Sequence, residues 1–374
     1  MIEKEIQGAS PWFGDDHEII LSEINEILKS GQLVNGKYSK RFESELRKMA
    51  NTKYALAVNS GGTALELALL SLEIKNKEVI LPAQTFIASA NAIKRAGGIP
   101  VFADIDKDTN CLDYDAVKKC INNKTAGIMF VHMFGLLSPI ILKIKKLCSE
   151  MGIFLIEDAA HAHGASLNGL MAGSIGDVGC FSFFATKVVT TGEGGAITTN
   201  RKDIFESVKS LHNHGRNLDS NLFDLEGNNF RLPEISCLLG FHQLKRLKEI
   251  LNHRRKIAKI YFNSLDKNQY ITPLKLVVDS SNSYWRFPAH LDEKVNRQEF
   301  QKTMMDKFKV RITWMYEPLC HQQPVSKGQN KISLPNSEWS IKRLINLPTH
   351  MNISEKDANY ILDCISHTLT RIIL

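Results

Sequence analysis

The run Phe181-Ser182-Phe183-Phe184-Ala185-Thr186-Lys187 closes an apolar stretch on a single lysine, and Thr190-Thr191-Gly192-Glu193-Gly194-Gly195 follows as a glycine-rich turn. An amine held partly out of water has its proton affinity pushed down toward neutrality. In that state Lys187 can form a Schiff base with an aldehyde or ketone. A second stretch, Asn59-Ser60-Gly61-Gly62-Thr63-Ala64-Leu65, joins a strand pattern to an apolar helix. Glycine lets backbone approach an anion there, and the unpaired N–H groups of the helix start favour a phosphate at Gly62 and Thr63. A tight turn before a buried helix is the competing reading, and the absence of Walker-type lysine and serine argues against a nucleoside triphosphate. The third stretch is Ile156-Glu157-Asp158-Ala159-Ala160-His161-Ala162-His163-Gly164, with Asp158 and His161 three apart and on one face of any helical turn. Taken singly, Asp158 is also a helix N-cap. The acids and histidines are also metal-ligand types, as a metal hydrolase would need, although His161 and His163 diverge on a helix. The remaining reading sets Asp158 against a cationic ring nitrogen, with His161 at the ring's other polar edge.

An anion site, a ring-nitrogen partner and an amine answer three separated points on one molecule. Pyridoxal 5′-phosphate carries a phosphate, a pyridine nitrogen and an aldehyde, and its ring acts as an electron sink. Metals, flavins and nicotinamides do not need all three. Ser182, five residues before Lys187, adds a hydroxyl for the phosphate.

These residues must be held by a scaffold. From about residue 54 to 200, β-rich runs alternate with helical stretches. Strands are expected at 54–58, 78–81, 99–103, 126–131, 153–156, 178–183 and 196–199, with helices at 63–72, 87–96, 113–122 and 140–151. Alternation of this kind predicts an α/β fold, with a mainly parallel sheet sandwiched by helices. The runs are apolar on both sides, as in strands buried on both faces. In such sheets ligands sit beyond the carboxyl ends of the strands, which is where the polar residues named above fall. From Pro233 to about Leu265 the pattern predicts one long bridging helix. After it, strands at 284–288 and 310–314 and helices at 297–307 and 354–369 predict a smaller α+β C-terminal domain. The expected domains are 1–248, binding the cofactor, and 249–374.

Further segments carry a resemblance over most of the chain. They are Gly31-Gln32-Leu33-Val34-Asn35-Gly36, Leu81-Pro82-Ala83-Gln84-Thr85-Phe86, the run from Pro100 to Asp106, Val131-His132-Met133-Phe134-Gly135 and Gly227-Asn228-Asn229-Phe230-Arg231. With the Asp158 and Lys187 segments, in this order, the chain resembles the DegT/DnrJ/EryC1/StrS sugar aminotransferases, pyridoxal-phosphate enzymes of the aspartate aminotransferase fold (fold type I), built on a seven-stranded sheet. The resemblance implies that Lys187 bonds the cofactor and then moves the proton between cofactor and substrate carbons. It implies Asp158 on the pyridine nitrogen, Phe86 stacked on the ring, His161 beside it, and Gly62, Thr63 and Ser182 on the phosphate. Asn229 would reach a phosphate in the neighbouring subunit of a homodimer. A dehydratase branch carries histidine where Lys187 stands, so the lysine points to amino transfer. The chain departs from the common pattern in its Gly-Gly-Thr loop, in histidine rather than glutamine at 161, and in Ser10-Pro11-Trp12-Phe13, which lacks the usual Arg-Pro.

The implied reaction takes an amino group from L-glutamate, or less readily glutamine, to a keto-sugar for surface polysaccharide or glycan biosynthesis. The expected acceptor is a nucleotide-linked 4-keto-6-deoxy sugar. A free keto- or aldehydo-sugar acid of octulosonate type and a cyclitol ketone are alternatives within the same chemistry. A pyridoxal-phosphate protein acting as a regulator without catalysis is the alternative of another class. Composition agrees with a globular enzyme: 374 residues, 43% hydrophobic and 23% charged, with a net charge of +7 from scattered basic residues. No nucleic-acid recognition motif accompanies that charge. Seven widely spaced cysteines form no CxxC pair, which fits reduced thiols. An acid-bearing N-terminus and no apolar run of spanning length predict a cytoplasmic protein without a membrane partner.

Overall fold

Seven short strands assemble in one sheet: β1 (Tyr54–Val58), β2 (Glu78–Pro82), β3 (Ile99–Ala103), β4 (Thr125–Val131), β5 (Phe154–Asp158), β6 (Val178–Ser182) and β7 (Gly195–Thr199). The computed structural model describes residues 5–217, 219–275, 280–328 and 332–373. Strand order across the sheet is β1-β7-β6-β5-β4-β2-β3. All neighbours are parallel except those of β7, which runs against both β1 and β6. The protein is therefore α/β, with the mainly parallel seven-stranded sheet that the alternating pattern predicts.

Side chains of a strand point alternately to opposite faces, so a run apolar throughout must be covered twice. In β1, Ala55 and Ala57 join a core with Phe42, Leu46, Phe181 and Leu238, whereas Leu56 and Val58 join another with Leu65, Leu69, Ile204 and Val208. The first layer comprises α1 (His17–Ser30), α2 (Lys37–Ala50), α6 (Ile140–Met151) and α8 (Glu234–Lys245). The second comprises α3 (Gly61–Ser71), α4 (Ile87–Arg95) and α7 (Lys202–Leu211), while α5 (Tyr114–Cys120) packs by β3 and α6. Among the described residues, no helix is long and apolar enough to cross a membrane.

The C-terminal part holds a three-stranded antiparallel sheet of β8 (Ile271–Pro273), β9 (Phe287–Leu291) and β10 (Leu344–Leu347). Around it lie α9 (Leu247–Leu265), α10 (Arg297–Phe308), α11 (Pro335–Arg343) and α12 (Glu355–Ile373). Tyr261, Phe287, Phe300, Ile345, Ile361 and Ile365 share a third core there. The expected boundary between 248 and 249 falls inside α9.

Three sequence expectations change. The helix from Pro233 to Leu265 is two helices, interrupted at Arg246 (φ −93°, ψ 0°). Neither glycine nor proline marks the interruption; Arg246 is instead held by both carboxylate oxygens of Asp16, at 2.5 and 2.6 Å. The strand expected at 284–288 begins only at Phe287, because Tyr284 takes a positive φ of 46°. The run 310–314 makes only isolated bridges, Ile6 to Val310 and Thr313 to Asn346. Apolar alternation is present there, but only single residues meet a partner backbone.

Candidate active site

The ends of β1, β2, β5 and β6 open onto one cavity of about 490 Å³. Each expected chemical group is delivered by its own strand end. At the end of β1, Ser60 caps α3, its Oγ accepting the Thr63 amide at 3.1 Å and lying 2.9 Å from Thr63 Oγ1. Thr63 is thereby engaged on both polar groups and does not line the cavity, whereas Gly61, Gly62 and Ser182 do. Of the two glycines, Gly61 is the one that space demands: a β-carbon there would stand 2.6 Å from Ser182 Cβ, while at Gly62 it would meet nothing within 3.8 Å. Among the described residues, no acceptor is recorded for the Gly61 and Gly62 amides. Donors at a helix start, beside the Ser182 hydroxyl, are chemically suited to an anion.

Strand β5 delivers two carboxylates to opposite sides. Glu157 is wholly buried and accepts the amides of Gly173, Ile175 and Gly176, with His132 Nε2 at 2.9 Å. It ties the loop before β6 to the sheet. Asp158 faces the cavity, accepting Ser89 Oγ at 2.8 Å and the Ala160 amide at 3.2 Å. Burial raises its pKa, opposed by those two hydrogen bonds and by the Lys187 charge.

Lys187 stands in the turn after β6, its Nζ 4.3 Å from the centre of the Trp285 ring. Burial pushes its pKa down to about 7, with Asp158 pulling up and Arg286 pushing down. His161 stacks on Trp285 with centroids 3.9 Å apart and places Nε2 3.0 Å from the Tyr316 hydroxyl. Burial first, then the Lys187 charge, holds this imidazole well below its ordinary pKa, so it is neutral. Phe86 lies on the cavity wall, 58% exposed, with its ring 5.9 Å from that of Tyr316. His163 is buried against Phe181 and Phe183, outside the cavity lining. Among the described residues, no three histidine, cysteine or acidic side chains come close enough to hold a metal ion. Asn229 is exposed and does not line the cavity of its own chain.

A sequence model of the DegT/DnrJ/EryC1/StrS aminotransferase family matches residues 15–366. The chain belongs to that family. It is 33% identical over 352 residues to the GDP-perosamine synthase of Vibrio cholerae, covering 92% of this chain and 94% of the relative. It is 32% identical over 357 residues to the UDP-4-amino-4,6-dideoxy-N-acetyl-β-L-altrosamine transaminase of Campylobacter jejuni, covering 93% and 94%. The solved structure of Helicobacter pylori PseC, an aminotransferase involved in biosynthesis of pseudaminic acid, superimposes with a TM-score of 0.91 at 28% identity, over 98% of this chain and all of PseC. The protein is thus a pyridoxal-phosphate-dependent sugar aminotransferase.

The residues of this aminotransferase fit that cofactor: a carboxylate, an amine of near-neutral pKa and a helix start with free amides line one cavity. Several contributors carry no local signal in the sequence. Trp285, Met315 and Tyr316 come from more than 90 residues downstream of Lys187 and reach the cavity only through packing of the C-terminal part. Ser89 lies in the first turn of the helix that follows Phe86, and both residues line the cavity. Removing its hydroxyl by Ser89→Ala should cost about 1–2 kcal/mol of hold on the Asp158 carboxylate, a roughly tenfold loss of cofactor affinity. Titration of cofactor-free protein with pyridoxal 5′-phosphate, followed by absorbance, measures it.

The Lys187 amine also gives a pH signature. Above the ordinary pKa of 10.5 the amine is neutral in both folded and unfolded chains, so its burial costs nothing on this account. As the pH falls, the unfolded chain takes up the proton first; the cost grows until about pH 7 and is constant below. Cofactor-free Lys187→Met should therefore be more stable than its parent by about 3 kcal/mol at pH 7, a figure discounted because the cavity opens to solvent. The gap should close toward pH 10, measured by urea unfolding at both values.

Proposed function

We propose that this enzyme transfers the amino group of L-glutamate to the keto carbon of a nucleotide-linked 4-keto-6-deoxy sugar. The observation that carries the reading is the amine at Lys187, near-neutral and buried against Trp285 in a cavity that also holds Asp158. Close to neutrality such an amine exists in both protonation states, so it can act as nucleophile and then give and take a proton at the reacting carbon. When bound, pyridoxal 5′-phosphate supplies the electron sink that makes the proton on that carbon removable. Asp158, fixed by Ser89 and the Ala160 amide, would balance the charge on the ring nitrogen. Gly61, Gly62 and Ser182 would hold the phosphate, and Phe86 would cover the ring. His161, neutral and bonded to Tyr316, would sit beside the ring without adding a second positive charge to the site. The nucleotide-linked acceptor is supported by relatives whose own names specify GDP- and UDP-linked amino sugars.

Release of 2-oxoglutarate from L-glutamate tests this against a panel of nucleotide-linked 4-keto-6-deoxy sugars, octulosonate-type acids and cyclitol ketones. Turnover confined to the last two groups would overturn the acceptor assignment; a yellow protein with no turnover on any would overturn the enzyme's proposed reaction.

A homodimer with shared sites follows from the same reading, because Asn229 is exposed and does not line the cavity of its own chain. Mixing inactive Lys187→Ala chains with weakened Asn229→Ala chains should restore activity, since one site of each mixed dimer then has both residues intact. No recovery after subunit exchange would place Asn229 outside the partner's site.

A further inference from the structure

Arg286 is 7% exposed, yet among the described residues no carboxylate pairs with it and no hydrogen bond reaches its guanidinium. A buried cation left this way is costly, and such groups are ordinarily paired or bonded. Its neighbour Arg254 shows the contrast. Arg254 is equally buried but spends Nη1 on the Tyr284 and Trp285 carbonyls and on Thr349 Oγ1. The charge at Arg286 is therefore unanswered in a region that already contains a second arginine.

The surroundings of Arg286 repeat the pattern. Thr313 and Asn346 face each other across a bridge, and Asn346 also pairs with Pro288, two residues beyond Arg286. Among the described residues, Thr313 Oγ1 and both side-chain amide atoms of Asn346 are buried without partners. Gly8 runs against this group: a β-carbon there would lie 3.1 Å from Thr313 Cγ2 and 3.7 Å from Arg286 Nη1. Met315, two residues after Thr313, lines the active-site cavity. The guanidinium lies 5.2 Å from the centre of the Trp285 ring, the ring that also carries the Lys187 amine.

We propose that Arg286, with Thr313 and Asn346, is the carboxylate-binding subsite for the amino donor. This rests on the aminotransferase reading above. A carboxylate offers two oxygens to a guanidinium fork and has lone pairs left for a hydroxyl and an amide N–H, which are the groups present. The anion site for the cofactor phosphate is already supplied at the β1 and β6 strand ends, and it uses no arginine. A subsite of one cation and two neutral donors suits a single carboxylate. It lets the enzyme hold an amino acid in one half-reaction and leaves the sugar of the other half-reaction to other contacts.

The test uses holoenzyme and separates the half-reactions. Arg286→Met keeps length and removes an unpaired buried charge, so folding should be preserved, with thermal stability equal or higher. The expected result is a roughly 100-fold rise in the L-glutamate concentration that half-converts the pyridoxal form, the acceptor half-reaction changing less than about threefold. Glutarate, an unreactive dicarboxylate, should compete with glutamate in the parent and lose that effect in the variant, with Arg286→Lys intermediate. An unchanged glutamate requirement, equal glutarate inhibition, or a parallel loss in both half-reactions would overturn the assignment. If the parent does not react with glutamate, the proposed donor is wrong; glutarate binding by calorimetry then decides the subsite alone, and equal binding by parent and Arg286→Met overturns it.

Discussion

Lys187→Ala is expected to lower amino transfer by at least about 10,000-fold, because one substitution removes the covalent anchor and the proton carrier together. Borohydride treatment of holoenzyme should fix the cofactor to the parent chain and leave none on the variant. The cavity itself should persist. Among the described residues, the strand ends and the α3 cap that frame it make no hydrogen bond through the lysine side chain, so the variant should still take up pyridoxal 5′-phosphate, bound without a covalent link. Added methylamine would be expected to restore a small part of the rate. A variant that remains reducible at the parent's level would move the anchor to another lysine.

Asp158→Ala is the second large effect, expected to cost about 1,000-fold in turnover. The carboxylate faces a site that it shares with the Lys187 amine, whose charge favours its ionised form. In the ligand-free chain its pKa is raised by burial, so the ionised form is held at a cost. A cationic ring nitrogen would reverse that cost by direct pairing, which is why the effect should fall on turnover more than on folding. Asp158→Asn should recover little, since an amide cannot balance the ring charge although it fills the same volume. Comparing the rate of the glutamate half-reaction in the two variants checks this; equal rates in Asp158→Asn and the parent would assign Asp158 to the capping role alone.

Much of the scaffold was legible because its signals are local. Each of the seven strands is a short, mostly apolar run, and each is found within two residues of its expected place. The lysine, the aspartate and the glycine loop were legible for the same reason: each sits where a strand ends and a turn begins. The α1 and α2 helices were not read from the sequence, although Tyr38, Phe42, Leu46 and Met49 mark a buried stripe on α2. The walls of the site were hidden for a different reason. Trp285 reads locally as a strand residue and Tyr316 as part of a loop, and their meaning comes from packing between distant segments. Thr63 illustrates the limit of a loop motif: its place was clear, but the Ser60 cap that occupies its amide depends on the path of the chain.

Trp285 also donates its indole N–H to the Thr186 carbonyl at 2.6 Å, so the residue next to the reactive lysine is bolted to the C-terminal part of the chain. The proton affinity of Lys187 is therefore not set by the seven-stranded sheet and its helices alone. In recombinants that exchange the C-terminal segment between relatives, the working pH would be inherited with that segment. A graft chosen to alter sugar selectivity would need position 285 preserved, or the pH optimum would shift with it.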